Sequence, residues 1–474
     1  MRARAVVPML MSVVFVAGAA GYAYADAADI VPGWITTSPE PVPPAPFLTA
    51  AAVDASDAPG TDVWPFLDAS APMPDAAVLQ GLAQALRDDA RTGASTNVSV
   101  TDLITGDVLV DLDAADGQVP ASNTKLLTAI AVVSALGPDA TLQTVARYDA
   151  SRGEVAIVAG GDMLLAADEG NGTAVGKDPV AVGFAGVGDL ADQVADALSA
   201  QGVTSVKITY DTSSFPGPAY PTEWPAYALR NGYTAPVTGL AVNVGKMTDD
   251  EYAQRWPDPA ARTADVFAQR LGERGITVVG VAASSGATGE QVGAVTSAPL
   301  SDVVEYMLHE SDNTIAEVLT RVLAVHDGRP AVPSEAMLSV RTALAELGLD
   351  LTGLELYDGA GFSVRNVIAP RVLTAGLRAA AFAESTRELP GWLAEAGLTG
   401  TLDDRYTSAP GAGVVRAKTG SLTGVTALSG VVFTAEGRPL VFSVLADGMP
   451  YGQFRPQAAI DEFVNALAEC GCRQ

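Results

Sequence analysis

Five lysines occur in 474 residues, and two of them sit in motifs whose residue types could carry out acyl transfer. Lys125 closes Ser122-Asn123-Thr124-Lys125, Lys418 opens Lys418-Thr419-Gly420, and Ser311-Asp312-Asn313 lies between them. A serine three residues before a lysine on a helix stands one turn away on the same face. Ser122 is therefore a candidate nucleophile and Lys125 its candidate base. The amine must be neutral for that, and burial or a second cation would lower its pKa. Lys418 is the candidate for the second cation. Pro120-Ala121 fits a helix start, which would set Ser122 in the positive end of the helix dipole, where a developing alkoxide is favoured.

The other residues complete the chemistry. Ser311 offers a hydroxyl that can relay a proton between Lys125 and a leaving amine. Asn313 offers a carboxamide that can hold a peptide bond on its donor and acceptor sides. Lys418, on an expected edge strand, supplies a charge for a substrate carboxylate. Thr419 adds a hydroxyl, and Gly420 lets the backbone approach a ligand. The amides of Ser421 and Ser122 are candidates for an oxyanion hole. Each motif alone has a plainer reading, a helix cap or a solvated lysine; the three in this order are much more specific. A Ser-His-Asp triad would need His309 or His326, and no G-x-S-x-G elbow precedes a helix.

These residues need elements to hold them. A helix is expected over Ala76–Arg91. A β-hairpin is expected from Asn97–Thr101 and Val108–Leu112 around Thr105-Gly106-Asp107, then a helix over Leu126–Leu136 stopped by Gly137-Pro138. From about Tyr148 to Thr296 the texture changes to short β-rich pieces (Glu154–Ala159, Val206–Tyr210, Thr277–Val281) mixed with helices Val187–Gln201 and Ala261–Gly275. No catalytic motif falls there. This stretch reads as an insertion of one or two accessory domains, dispensable for the chemistry but used in engaging substrate. After Pro299 an amphipathic helical pattern resumes and carries Ser311-Asp312-Asn313. A β meander follows, with Val414–Ala417 leading into Lys418, then Val425–Phe433 and Leu440–Leu445, and a last helix over Arg455–Cys470.

Composition bounds the rest. A net charge of −27 would repel phosphates and anionic lipid surfaces, so nucleic acid is not an expected partner. Two histidines and two cysteines, Cys470 and Cys472, do not make a metal centre, and no metal or other cofactor is expected. Arg2 and Arg4 precede an apolar run ending Ala23-Tyr24-Ala25, which reads as an export signal, either cleaved or kept as an anchor. An extracytoplasmic place, in the cell envelope or secreted, follows. A Pro/Ala-rich linker is expected next. The expected layout is signal 1–25, linker 26–75, core 76–147, insertion 148–296 and core 297–474.

S-x-x-K, S-D-N and K-T-G together resemble the signature of penicillin-binding proteins and serine β-lactamases. The context is similar to one group of these, the D-alanyl-D-alanine carboxypeptidase/endopeptidase family of low-molecular-mass class C (type-4) penicillin-binding proteins, peptidase family S13. His309-Glu310-Ser311-Asp312-Asn313 with Ala316-Glu317 resembles its S-D-N helix. Asp358-Gly359-Ala360-Gly361-Phe362-Ser363 with Asn366 resembles its D-G-S-G-L-S…N segment, with Ala360 in place of Ser. Gly397 to Leu402, Arg405 and Lys418 to Gly424 resemble its final stretch. Gly160-Gly161-Asp162 and Asp211 to Phe215 resemble its G-G-D-P and D-D-S-x-F elements, with Met163 in place of Pro. The long gap from the first motif to the second departs from class A β-lactamases. The resemblance covers about residues 76–470. It implies a multidomain α/β (α+β) fold: a transpeptidase-like core of antiparallel sheet flanked by helices, with β-rich accessory domains inserted after the first motif. It also implies a serine-type carboxypeptidase acting on peptidoglycan stem peptides, with cross-link cleavage by the same machinery and β-lactams as inhibitors. A β-lactamase or esterase of the same fold, and a non-enzymatic β-lactam sensor, stay open as alternatives.

Overall fold

The computed structural model describes residues 67–92, 95–172, 180–449 and 455–470, together with Tyr22. The rest of the expected signal over 1–25, the linker up to residue 66, and Cys472 lie outside the described residues.

The first sheet is antiparallel and six-stranded. It holds β1 (Ser95–Asp102), β2 (Val108–Leu112), β10 (Ala394–Glu395), β11 (Val415–Leu422), β12 (Val425–Phe433) and β13 (Pro439–Asp447), in the order β10-β11-β12-β13-β1-β2. Side chains alternate across a strand, and in β12 the two sets enter different apolar layers. Leu428 and Val432 pack with helices α1 (Ala76–Arg87) and α10 (Arg455–Glu469), whereas Ala427 and Val431 join the layer built on α2 (Thr124–Leu136) and α9 (Pro370–Phe382). Both faces are covered, so β13 is a nearly unbroken apolar run rather than an alternating one. Asp75 caps α1 by accepting from the amides of Ala77 and Val78. The helix ends at Arg87, short of the expected Arg91, because the Thr92 hydroxyl turns back to the Leu86 carbonyl.

The second sheet lies in the stretch between the first two motifs. Its strands are β3 (Gln143–Asp149), β4 (Glu154–Val158), β5 (Ser205–Asp211), β6 (Thr277–Ser284) and β7 (Glu290–Thr296), in the order β6-β5-β4-β3-β7. β4, β5 and β6 run parallel, which requires crossover helices. α3 (Val187–Ala200) and α5 (Pro259–Glu273) are those helices; each buries an apolar face, and α4 (Ala226–Arg230) is a single turn on the way.

Helices α6 (Leu300–His309), α7 (Asn313–His326) and α8 (Pro333–Glu346) follow, then the two-residue pair β8 (Leu354–Glu355) and β9 (Val367–Ile368). The helical pattern expected after Pro299 is present here as separate helices. The chain breaks at the motif: Ser311 adopts φ 53°, in the left-handed region, and Asp312 caps a new helix by accepting from the amides of Thr314 and Ile315. Ser311 and Asn313 therefore stand at a corner facing a cleft. Among the described residues no helix is long and apolar enough to cross a membrane.

Candidate active site

Ser122 sits in a 3-10 turn, Ala121–Asn123, that runs directly into α2. The first ten residues of α2 are all buried, so the helix passes through the middle of the core and carries Lys125 in with it. The entry is tight. Gly361, at φ 83°, passes so close that a Cβ there would lie 1.9 Å from the Ala121 carbonyl. Gly420 on β11 passes over the same turn, where a Cβ would lie 2.9 Å from the Pro120 carbonyl. Glycine at both positions lets two backbones close on the nucleophile.

Lys125 is fully buried. Its Nζ lies 2.9 Å from Ser122 Oγ and donates to Asn313 Oδ1 and to the Ala360 carbonyl, each at 2.7 Å. Burial pushes its pKa down to about 7, against the raising influence of the Asp358 and Asp312 charges. Lys418 is fully buried too, and its pKa falls well below the usual lysine range through burial, then the Lys125 charge, then that of Arg405. Burial, one of the two causes expected for Lys125, is the largest, and the two buried lysines repel one another.

Ser122, Ser311, Asn313 and Ser421 all line one cavity of about 1080 Å³. Lys418 pairs across to Ser429 of β12, while β10 reaches only as far as Ala417, so the outer edge of β11 is open from Lys418 onward. Lys418 Nζ donates to the Thr419 carbonyl, and the Thr419 hydroxyl donates to Thr401. Ser311 has no hydrogen bond to Lys125 or Lys418 among the described residues; its closeness to the reacting groups is that of a shared cavity wall. His309 lines the same cavity and His326 stands beside Asp327, but the Ser122 hydroxyl is bonded to Lys125 and not to a histidine.

The positioning groups include the Asp358–Ser363 segment with Asn366, and Glu317, which the family resemblance singled out, together with Thr128, Trp224 and Tyr233, which carry no motif. The loop after β8 winds around the Asp358 carboxylate, which accepts from the amides of Ala360, Gly361 and Ser363, from Asn366 Nδ2 and from Trp224 Nε1. Thr128 of α2 donates to the Gly359 carbonyl, and Glu317 of α7 accepts from the Gly359 amide. The Tyr233 carbonyl accepts from Asn313 Nδ2. Tyr227, Tyr233, Tyr252 and Arg255 make one wall of the cavity, so the stretch between the first two motifs is part of the site.

The family model described as D-Ala-D-Ala carboxypeptidase 3 (S13) matches residues 78–255 and 249–470. The chain belongs to this S13 family. It is 33% identical over 462 residues to a carboxypeptidase, DacB, of Mycolicibacterium smegmatis, covering 94% of each chain. It is 30% identical over 451 residues to a D-alanyl-D-alanine carboxypeptidase of an Actinomadura species, covering 81% of this chain and 83% of that one. Its fold matches the crystal structure of penicillin binding protein 4 (dacB) of Haemophilus influenzae with a TM-score of 0.66 at 21% identity, over 83% of this chain and 98% of that one. This S13 chain is a serine-type D-Ala-D-Ala carboxypeptidase.

Proposed function

We propose that this carboxypeptidase removes the terminal D-Ala of peptidoglycan stem peptides through an acyl-enzyme on Ser122. The observation that carries the reading is the bonding of Lys125 Nζ. A neutral amine has two N–H bonds and one lone pair. Its two carbonyl-type acceptors, Asn313 Oδ1 and Ala360 O, take both N–H bonds. The lone pair is left for the Ser122 hydroxyl at 2.9 Å. In the proposed sequence Lys125 takes the Ser122 proton as Oγ attacks the penultimate D-Ala carbonyl. The amides of Ser122 and Ser421 hold the oxyanion. The C–N bond then breaks, and the leaving amine takes a proton passed from Lys125 by way of Ser311. Water attacks the ester by the reverse path and frees Ser122.

Asn313 holds the substrate amide on the acyl side. Lys418, with Thr419 and the open edge beyond Gly420, takes the terminal carboxylate; that counter-charge restores the ammonium that burial disfavours. A β-lactam presents a strained amide and a carboxylate to the same groups, and a β-lactam complex of penicillin binding protein 4 of Haemophilus influenzae shows the same fold at a TM-score of 0.59. We read residues 76–147 and 297–474 as the catalytic core and 148–296 as an inserted accessory region. The leader over 1–25 directs export, as a substrate in the cell wall requires.

Incubating the protein with a fluorescent penicillin and a D-Ala-D-Ala tripeptide tests the reading. Label and released D-Ala are expected from the same active fraction, with penicillin blocking release. D-Ala release undiminished in fully labelled protein would overturn it.

A further inference from the structure

We propose that Trp224 and the Tyr233 carbonyl, both in the stretch inserted between the first two motifs, are positioning groups for Lys125. The proposal rests on the reading of Lys125 as the base. Both carbonyl-type acceptors of Lys125 Nζ are themselves held by that stretch. Asn313 donates one of its two Nδ2 hydrogens to the Tyr233 carbonyl at 2.8 Å, which turns Oδ1 toward the amine. Next to it, Thr314 Oγ1 accepts from the Ala235 amide at 2.8 Å and lies 3.2 Å from Thr234 Oγ1, so residues 233–235 clasp the start of α7.

The second path runs through Asp358. Ala360, whose carbonyl accepts from Lys125, belongs to the loop wound around this carboxylate. Trp224 Nε1 donates to Asp358 Oδ2 at 2.9 Å. Asp358 is fully buried and Trp224 is 4% exposed, so no bulk water replaces that donor. The indole is held by Tyr220 and Phe362, with ring centroids 5.6 Å and 5.8 Å away. A buried carboxylate that loses a donor shifts toward its remaining ones. That shift loosens the Ala360 carbonyl and weakens the support that the Asp358 charge gives to an ammonium on Lys125. The groups whose charge bears on Lys125 are Asp358 and Asp312, with Lys418 coupled to it. Glu317, which burial pushes up to about 7, stands next to Asp358. The inserted stretch is therefore not dispensable for the chemistry, contrary to what its lack of motifs suggests.

The test is Trp224→Phe in the full chain, which keeps an aromatic ring and removes the donor. The acylation rate constant with a fluorescent penicillin is measured from pH 5 to 9 and normalised to titrated active sites, so that misfolded protein does not count. A fall of roughly ten- to a hundredfold is expected, about what losing one hydrogen bond to a charged group produces. The acid limb should move to lower pH, and the non-covalent affinity for penicillin should stay unchanged. If the Phe variant fails to fold, benzothienylalanine at position 224 replaces the N–H by sulfur at nearly constant shape and is read the same way. A rate within about twofold of the parent with an unmoved acid limb would overturn the proposal. Absence of Ser122 acylation in the parent itself would overturn the reading of the site instead.

Discussion

Lys125 Nζ and Ser122 Oγ stand 2.9 Å apart at the mouth of a helix whose first turns are wholly buried. The amine cannot be solvated there, and burial brings its pKa to about 7. Below that pH the lone pair is occupied and the base is lost; above it the amine is free. The acylation rate should therefore fall about tenfold per unit as pH drops below 7 and level off above it. Stopped-flow acylation by a fluorescent penicillin between pH 5 and 9 checks this. A rate flat down to pH 5.5 would exclude Lys125 as the titrating base.

The same requirement separates lysine from arginine. Arg stays protonated in proteins, so Lys125→Arg should lose as much activity as Lys125→Ala. Retention of more than about a tenth of the parental acylation rate by the Arg variant would leave Lys125 only a positive charge.

Lys418 is predicted to read the substrate carboxylate. Lys418→Ala should reduce kcat/KM on peptides with a free C-terminal carboxylate far more than on a neutral ester of similar shape, by a further factor of ten or more. Matched losses on the two substrates would make it a general electrostatic support.

Gly361→Ala places a Cβ 1.9 Å from the Ala121 carbonyl at φ 83°. The backbone strain alone costs about 1–2 kcal/mol, and relief of the clash must shift the Ser122 turn or the Ala360 loop. The expected result is a Tm lower by several degrees and acylation slowed more than tenfold in the folded fraction. Calorimetry with active-site titration measures both, and a variant with parental acylation would show that the turn tolerates the shift.

How much of this was legible beforehand depends on where each signal resides. Ser122 and Lys125 are three residues apart, so their pairing is written in helical geometry. Strand β12 was legible to the residue, Val425–Phe433, because an apolar run between turns reads as a buried strand. The break at Ser311 was not, because the apolar periodicity of α6 continues into α7 and a serine at φ 53° has no glycine or proline to announce it. Ala360 and Tyr233 act through their carbonyls, and a backbone carbonyl leaves no trace in residue type. Trp224 meets Asp358 across 134 residues of chain, a contact that only the assembled fold creates.

The central claim is that Ser122 forms the acyl-enzyme. Its most direct test is intact and peptide mass spectrometry of the protein and of Ser122→Ala after exposure to benzylpenicillin. One penicilloyl adduct is predicted, on the peptide containing Ser122, together with its complete absence and the loss of D-Ala release in the alanine variant. An adduct at undiminished level in Ser122→Ala, or on another residue of the parent, would contradict the account.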